Sequence, residues 1–253
     1  MVVFSHTNEL KEAQFTHVDL RGARFVETDL SGAVFRAVEV AGVEIDAPWL
    51  VHGRPLLVNG VDIVPFVEAE LNRRFVGRED RRAETPDGLR TAWSAIERAW
   101  SAALERVADM PDGTVDVSVA GEWSFAQTLR HLILATDLWL GNAVLQLPQP
   151  FHPFGLPWEG AEDAEGWDMS VFTAAKPSYA EVLEARAGRV AMVREFLADV
   201  TPEQLAIPRQ NPWSPTNPET TRSCLHVILE EEWEHLRFAL RDLDVIESSA
   251  GES

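Results

Sequence analysis

The chain has 253 residues, of which 45% are hydrophobic and 25% charged, and its formal net charge is −19. The composition is typical of a globular protein, and the negative charge excludes nucleic acid and anionic membrane surfaces as direct electrostatic partners. The single cysteine, Cys224, excludes an internal disulfide framework and predicts a reducing, cytoplasmic location.

Two segments bear on secretion and on membranes. The start of the chain contains the polar run "SHTNELKEAQ" and lacks the basic flank and apolar core of a signal peptide, so we expect no such signal. The longest apolar stretch, "RHLILATDLWLGNAVL", is interrupted by Asp137 and is too short to span a bilayer. The sequence therefore predicts a protein without a membrane partner.

Residues 1–50 carry a repeat with a period of five. Large apolar residues recur at every fifth position, and glycine recurs every ten residues. The large residues are Phe15, Leu20, Phe25, Leu30, Phe35, Val40 and Ile45, and the glycines are Gly22, Gly32 and Gly42. Neither a helix nor a flat strand has this period. A coil with four short sides does, because each side then points one large residue inward.

The stretch "ARFVETDLSGAVF" and its flanks, about residues 8 to 46, resemble the pentapeptide-repeat family. The resemblance implies a short right-handed quadrilateral β-helix of about two coils. Some members of that family are acidic rods that imitate DNA and bind gyrase, and the negative charge would suit that role. Two coils are far shorter than such a rod, so we expect no inhibition of gyrase supercoiling.

Helical signals follow "DAPWLVHGRP". Residues 51–84 are predicted to be a linker with a short helix at about 62 to 76. Thr85 and Pro86 form an N-cap and first-turn pair for the next helix. The apolar face of that helix comprises Trp93, Ile96, Trp100, Leu104 and Val107. Its spacing indicates a core-facing amphipathic helix.

Two capping boxes and a long apolar pattern predict three further helices. Ser124 with Gln127 precedes a helix that runs to about residue 146, and Ser178 with Glu181 begins another. The last helix is predicted at about 219 to 246. Residues 85–247 are therefore predicted to form a four-helix bundle with one long crossover, and residues 248–253 a disordered tail. The predicted fold class is mainly α.

Polar residues interrupt the apolar stripe of the last helix. Glu231 and His235 lie one turn apart on its buried face, and Glu232 is adjacent. His131 interrupts the apolar helix at 124–146 in the same way. A buried carboxylate costs several kcal/mol unless it is paired or bound to a cation. The set His131, Glu231 and His235 therefore predicts a site for a divalent metal such as Zn²⁺, Ni²⁺ or Fe²⁺, with Glu232 as the competing carboxylate.

Plainer interpretations stay open. His131 alone would ordinarily be a hydrogen-bonded core residue, and the run 230–232 would ordinarily be a solvated face with one member buried. Glu231 could also form an ion pair with Arg237 or Arg130. The proline-rich "FHPFGLPW" is either a lid that presents His152 or Trp158 to a substrate or a turn that packs one end of the bundle. Cys224, on a face similar to that of Glu231, is by default a small buried apolar residue.

The stretches "EWSFAQTLRHLILATD" and "CLHVILEEEWEHLRFALRDLD" resemble the DinB-like superfamily over about residues 85 to 246. The resemblance implies a four-helix bundle that binds a divalent metal through one histidine on the second helix and a His-x-x-x-His pair on the last. His131 and His235 match two of these ligands, and Glu231 stands where the commonest pattern has histidine. Several relatives are thiol-dependent transferases or isomerases in which the metal lowers the pKa of a thiol such as mycothiol or bacillithiol.

The leading hypothesis is therefore a metal-binding, thiol-dependent S-transferase or related metalloenzyme that acts on a small-molecule substrate, as a monomer or a homodimer. One alternative is a non-catalytic interaction or ligand-binding protein whose acidic repeats mediate protein contacts. A second alternative is a bundle in which Glu231 has abolished catalysis and left a regulatory role.

Overall fold

A computed structural model describes residues 3–5, 7, 9–157, 168–172, 176–214 and 216–251. Contacts divide the chain into two units, residues 1–46 and residues 47–253. The second unit is mainly helical, as predicted, with little sheet. Within the described ranges, no helix combines the length and the apolar character needed to cross a lipid bilayer.

The first unit consists of turns repeated every ten residues. A backbone N–H donates to the carbonyl three residues earlier at each repeat, over distances of 2.9 to 3.1 Å. The donors are Ala13, Ala23, Ala33 and Val43, and the acceptors are Leu10, Leu20, Leu30 and Val40. Gly22, Gly32 and Gly42 lie inside these turns with φ of +75°, +77° and +73°, the left-handed region that glycine adopts without strain. The glycine period therefore coincides with the period of the turns, which were not predicted as such from the sequence.

The right-handed quadrilateral β-helix predicted for this unit is not formed by its described residues, which contain no strand and no closed sheet. The large residues expected to point inward are exposed, from 45% for Leu20 to 68% for Phe35. The physical reason is the length of the array. A coil buries its interior only against coils above and below it, and about two coils supply no complete interior.

The second unit begins with short elements. The segment predicted as a linker with one helix contains that helix and four smaller elements. In chain order these are a 3₁₀ turn at Leu50–His52, strands β1 (Leu57–Val58) and β2 (Val61–Asp62) paired antiparallel, helix α1 (Val64–Arg74) and a 3₁₀ turn at Arg78–Arg82.

Four long helices follow, and the predicted caps are present. The Thr85 side chain accepts from the Gly88 N–H, and both predicted capping boxes, at Ser124 and Ser178, are complete. The remaining elements are α2 (Pro86–Ala108), α3 (Phe125–Thr136), a π-helical segment (Asp137–Val144), α4 (Tyr179–Asp199), α5 (Pro202–Leu205), the antiparallel pair β3 (Pro208–Arg209) and β4 (Glu219–Thr220), and α6 (Thr221–Gly251).

The long helices pack as a ring. Helix α3 contacts α4 and α6, and α2 contacts the same two neighbours. Their apolar faces form one core, in which Leu89, Leu132, Leu140 and Leu236 are fully buried. This arrangement, the geometry of a four-helix bundle, places the inward faces of α3 and α6 side by side.

Two helices differ from their predicted form. The helix that starts at Phe125 changes to π geometry at Asp137, whose carboxylate is buried and pairs with Arg189 of α4. A π turn inserts an extra residue, and such insertions are frequent at functional sites. Helix α6 continues to Gly251, through residues predicted to be a disordered tail. The Ser248 and Ser249 hydroxyls donate to carbonyls four residues earlier, which is compatible with helix.

Candidate metal centre

Helices α3 and α6 bring together the three residues predicted to bind metal. On α6, Glu231 and His235 are one turn apart on the face that meets α3, and His131 lies opposite them. One ligand atom from each residue lies within 4.8 Å of the other two. Among the described residues, this is the one group of three or more histidine, cysteine, aspartate or glutamate side chains close enough to hold a metal ion together.

The three side chains are largely buried, with exposed fractions of 14% for His131, 16% for Glu231 and 13% for His235. Glu231 Oε2 lies 3.6 Å from His131 Nε2 and 3.3 Å from His235 Nδ1. The two imidazole rings are stacked, with centroids 4.7 Å apart. A carboxylate between two imidazoles at these distances is a donor set suited to a divalent transition metal.

Backbone carbonyls contact the Nδ1 atom of each histidine. The distance from His131 Nδ1 to the Leu156 carbonyl is 3.1 Å, and from His235 Nδ1 to the Glu231 carbonyl 2.9 Å. In the neutral ring an Nδ1–H donates to such a carbonyl, which leaves Nε2 as a lone-pair donor. His131 Nε2 and Glu231 Oε2 then face each other as two acceptors, an arrangement that a cation between them would stabilise.

The protonation states of the site favour metal binding. Burial, reinforced by the neighbouring His131, lowers the pKa of His235 to about 4. Burial acts to raise the pKa of the Glu231 carboxyl, but a hydrogen bond from the His131 imidazolium and the positive charges that His235 and His131 carry when protonated outweigh it and hold that pKa below its usual value. At neutral pH, His235 is therefore neutral and Glu231 ionised, the forms that coordinate metals.

The other glutamates of the α6 run are buried and paired with arginine, so the expectation of a mostly solvated face at 230–232 was wrong. They are Glu230 with Arg82, at 2.6 Å, Glu232 with Arg186, and Glu234 with Arg78, at 3.1 Å. Arg237, one of the two arginines considered for Glu231, instead donates to Glu234. Among the described residues the partners of Glu231 are the two histidines. Glu231, not Glu232, is therefore the carboxylate that lies near the two histidines.

The proline-rich loop contacts the site through its backbone. Arg130 Nε donates to the Phe154 carbonyl, and the Leu156 N–H donates to the Arg130 carbonyl. These bonds hold the loop along α3, so that the Leu156 carbonyl lies next to His131 Nδ1. His152 contributes its N–H to Asp137, and its Nδ1 accepts from the Phe154 N–H. These two hydrogen bonds of His152 are of the kind expected for a turn that packs one end of the bundle. Trp158 lies outside the described residues.

Cys224 is fully buried in the core, and burial, with a smaller contribution from Glu219, raises the pKa of its thiol to about 12. It is therefore a neutral thiol, in line with its default interpretation as a small apolar residue. His226, on the same helix, donates from its Nε2–H to the Ala83 carbonyl at 2.9 Å and is not a member of the ligand set.

Three contributors were missed in the sequence. The Trp123 ring contacts both histidines: it is tilted against His131, with centroids 4.5 Å apart, and stacked on His235, with centroids 6.1 Å apart. The Leu156 carbonyl is a backbone atom, for which a sequence carries no signal. Arg186 had a detectable one, since it stands four residues after Val182 on the apolar stripe of α4, where an arginine needs a buried partner.

Comparisons with known proteins add two family matches. A model of the DinB superfamily matches residues 95–239, more than half of the chain. A model of pentapeptide repeats matches residues 9–43 with 8 copies. No curated protein and no solved structure gives a significant match.

Proposed function

Because the chain belongs to the DinB superfamily, we propose that its helical unit binds a divalent metal through His131, Glu231 and His235 and acts as a thiol-dependent S-transferase. The observation that carries the proposal is the convergence of three ligand atoms within 4.8 Å in a largely buried site. The donor set of two imidazoles and one carboxylate fits Zn²⁺, Ni²⁺ or Fe²⁺ and leaves coordination positions for other molecules.

The chemistry proposed is activation of sulfur. When bound, the metal would lower the pKa of a coordinated low-molecular-weight thiol of the mycothiol or bacillithiol type and supply a thiolate nucleophile. The protein's own residues hold the ligands in place. The Leu156 and Glu231 carbonyls orient the two rings, and Trp123 shields them from water on one side. Such a reaction fits a reducing cytoplasm, and the chain's single cysteine is buried.

The test uses the full chain purified without a histidine tag. Elemental analysis should find close to one zinc, nickel or iron per chain. The metal-loaded protein should then consume mycothiol or bacillithiol in the presence of an electrophile such as monochlorobimane, faster than the same protein after chelation. The metal site would be contradicted if the wild-type protein contained no stoichiometric metal and His235→Ala contained no less metal than the wild type. Metal without thiol turnover would favour a regulatory or ligand-binding role instead.

A second candidate function concerns the pentapeptide-repeat unit. Its apolar residues at every fifth position are exposed in the structure, among them Phe15 at 58% and Phe25 at 56%. Exposed apolar residues in a regular row are a feature of protein contact surfaces. We propose that this unit mediates protein contacts irrespective of whether the helical unit is catalytic. Replacing Phe15, Phe25 and Phe35 by serine should weaken any self-association seen by analytical ultracentrifugation and leave metal content unchanged.

A further inference from the structure

Arg186 uses only part of its guanidinium group. Its side chain is 7% exposed, and Nη2 contacts both carboxylate oxygens of Glu232. Nη1 is buried and has no hydrogen-bond acceptor in the part of the chain that the structure describes. A guanidinium normally pairs with a carboxylate through two parallel bonds from two nitrogens. Here one nitrogen contacts both oxygens, and the other is a buried charged donor without an acceptor among the described residues.

The neighbouring pair on the same helix has the usual geometry. Arg189, one turn further along α4, donates from Nε to Asp137 Oδ1 at 2.7 Å and from Nη2 to Oδ2 at 3.1 Å. Two nitrogens thus meet two oxygens, and Arg189 has no buried unpaired atom. The unpaired donor is therefore specific to Arg186, and it is not a general property of the arginines on α4.

The Arg186 side chain lies next to the metal centre through its partner Glu232. Glu232 precedes His235 by three residues on α6, so the two side chains are neighbours on the helix surface. Arg186 contacts Glu232 and is therefore adjacent to the ligand set. In agreement with this position, its positive charge is among the influences that lower the pKa of His235, after burial and His131.

The local charges favour a bound anion. A divalent metal with the Glu231 carboxylate carries a net charge of +1, and Arg186 and Glu232 cancel each other. Arg130, next to His131, donates to the Phe154 carbonyl and has no acidic partner among the described residues, which adds one positive charge. A thiolate that also carries a carboxylate has two negative charges and matches this excess, although the whole chain has a net charge of −19.

We propose that the thiol bound at this metal centre carries a carboxylate. Nη1 of Arg186 binds that carboxylate, which makes Arg186 the specificity-determining residue. The proposal rests on the metal-dependent function proposed above. A carboxylate suits the position because a single buried charged donor can hold one of its oxygens, whereas a phosphate presents more charge and more oxygens than this donor can satisfy.

The experiment uses the full chain loaded with Co²⁺, whose visible absorption reports the ligands and whose thiolate charge-transfer band reports bound sulfur. Two probes of similar size are titrated, 3-mercaptopropionate and 3-mercaptopropan-1-ol, which differ in the carboxylate. The expected result is that the carboxylate probe binds about tenfold more tightly or better, the ratio for one charge-assisted hydrogen bond. Equal dissociation constants for the two probes would overturn the proposal.

The variants separate Arg186 from the metal site. Arg186→Gln combined with Glu232→Gln removes both charges, so neither is left buried without a partner. This double variant should bind Co²⁺ and the alcohol probe like the wild type, while its preference for the carboxylate probe falls to about onefold. The matched control, Arg189→Gln with Asp137→Asn, makes the same kind of change at the complete pair and should keep the preference. Arg186→Lys, which keeps the charge but lacks Nη1, should lose most of it. A preference that survives in the Arg186 variants contradicts the assignment.

Failure of the two proposals is distinguishable. If the wild-type protein gives no Co²⁺ spectrum, the metal site itself is wrong. If Co²⁺ binds and the two probes bind equally, the metal site stands and the assignment of Arg186 is wrong. Neither outcome depends on turnover, and the comparison of probes on the wild-type protein needs no variant to fold.

Discussion

Glu231 and Glu232 are consecutive on α6, yet their carboxylates serve different partners. Glu231 lies between the imidazoles of His131 and His235, whereas Glu232 is fully buried against Arg186 of α4. The two side chains are about 100° apart around the helix axis, which is enough to direct one toward α3 and the other toward α4. Glu231 can therefore bind a metal cation, whereas Glu232 is already paired with the guanidinium of Arg186.

Substituting these two glutamates should separate metal binding from stability. Glu231→Gln removes a ligand charge and should abolish stoichiometric metal binding, while the free energy of unfolding of the metal-free protein changes by about 1 kcal/mol or less. Glu232→Gln should retain the metal but lose about 3–5 kcal/mol of stability, because it leaves the Arg186 charge buried without a partner. Elemental analysis and urea denaturation measure the two effects. If both variants lose metal equally, the assignment of the carboxylates is wrong.

His235→Ala should lower metal affinity by about 100-fold or more, since removing a ligand exceeds the effect of removing a residue that only orients one. The matched control is His226→Ala. His226 is also a histidine on α6, but its Nε2 contacts the Ala83 carbonyl, outside the ligand set. Competition with a chromogenic chelator gives the affinities. Equal losses for the two variants would show that the effect comes from the helix and not from the site.

The helical unit was largely predictable because its signals are local. A capping residue and an apolar stripe act within a few turns, so Ser124, Ser178 and the stripe through Leu225, Ile228 and Leu236 indicated where α3, α4 and α6 begin and which faces they bury. The end of α6 was missed, since exposed serines favour helix only weakly and its continuation to Gly251 has no local marker.

Long-range pairing limited the other predictions. The placement of Glu231 and His235 on one face depends only on helical periodicity, and the contact between α3 and α6 brings His131 to them. The arginine partners of the glutamate run come from different elements, among them Arg82 and Arg186, so a one-dimensional pattern could not assign them. The five-residue period predicted a closed four-sided coil, but closure of a coil requires stacking that the short array does not supply.

The metal-free protein should lose stability in acid through His235. Its pKa is lowered from the usual 6.5 to about 4, chiefly by burial. Between these values the unfolded chain binds more protons than the folded protein, so the stabilisation is complete above pH 6.5 and is lost as the pH falls through about 4. The shift corresponds to about 3 kcal/mol. Urea denaturation with chelator present at several pH values measures it.

The variant His235→Asn serves as the comparison, because asparagine does not titrate. Between pH 7 and pH 4 the free energy of unfolding should fall less for this variant than for the wild-type protein, and the difference between the two falls should be about 2–3 kcal/mol. Parallel pH profiles for the two proteins would contradict the assignment of the acid sensitivity to His235.

Gly155→Ala should weaken metal binding without touching a ligand. Gly155 lies between Phe154 and Leu156, and a Cβ at this position would lie 3.1 Å from Phe172 Cε1, 3.2 Å from the His152 carbonyl oxygen and 3.4 Å from Leu134 Cβ. Such contacts force the loop to shift, and with it the Leu156 carbonyl that contacts His131 Nδ1. Loss of an orienting hydrogen bond should lower metal affinity about tenfold.

Gly188→Ala provides the control for that substitution. Gly188 lies within α4, and a Cβ there would meet nothing within 4 Å, so alanine should leave metal affinity unchanged and raise stability by about 0.5–1 kcal/mol through its better helix propensity. Chelator competition and thermal denaturation on the two variants measure affinity and stability separately. If Gly155→Ala binds metal as tightly as Gly188→Ala, the Leu156 carbonyl does not position His131, and the ligand set is held by α3 and α6 alone.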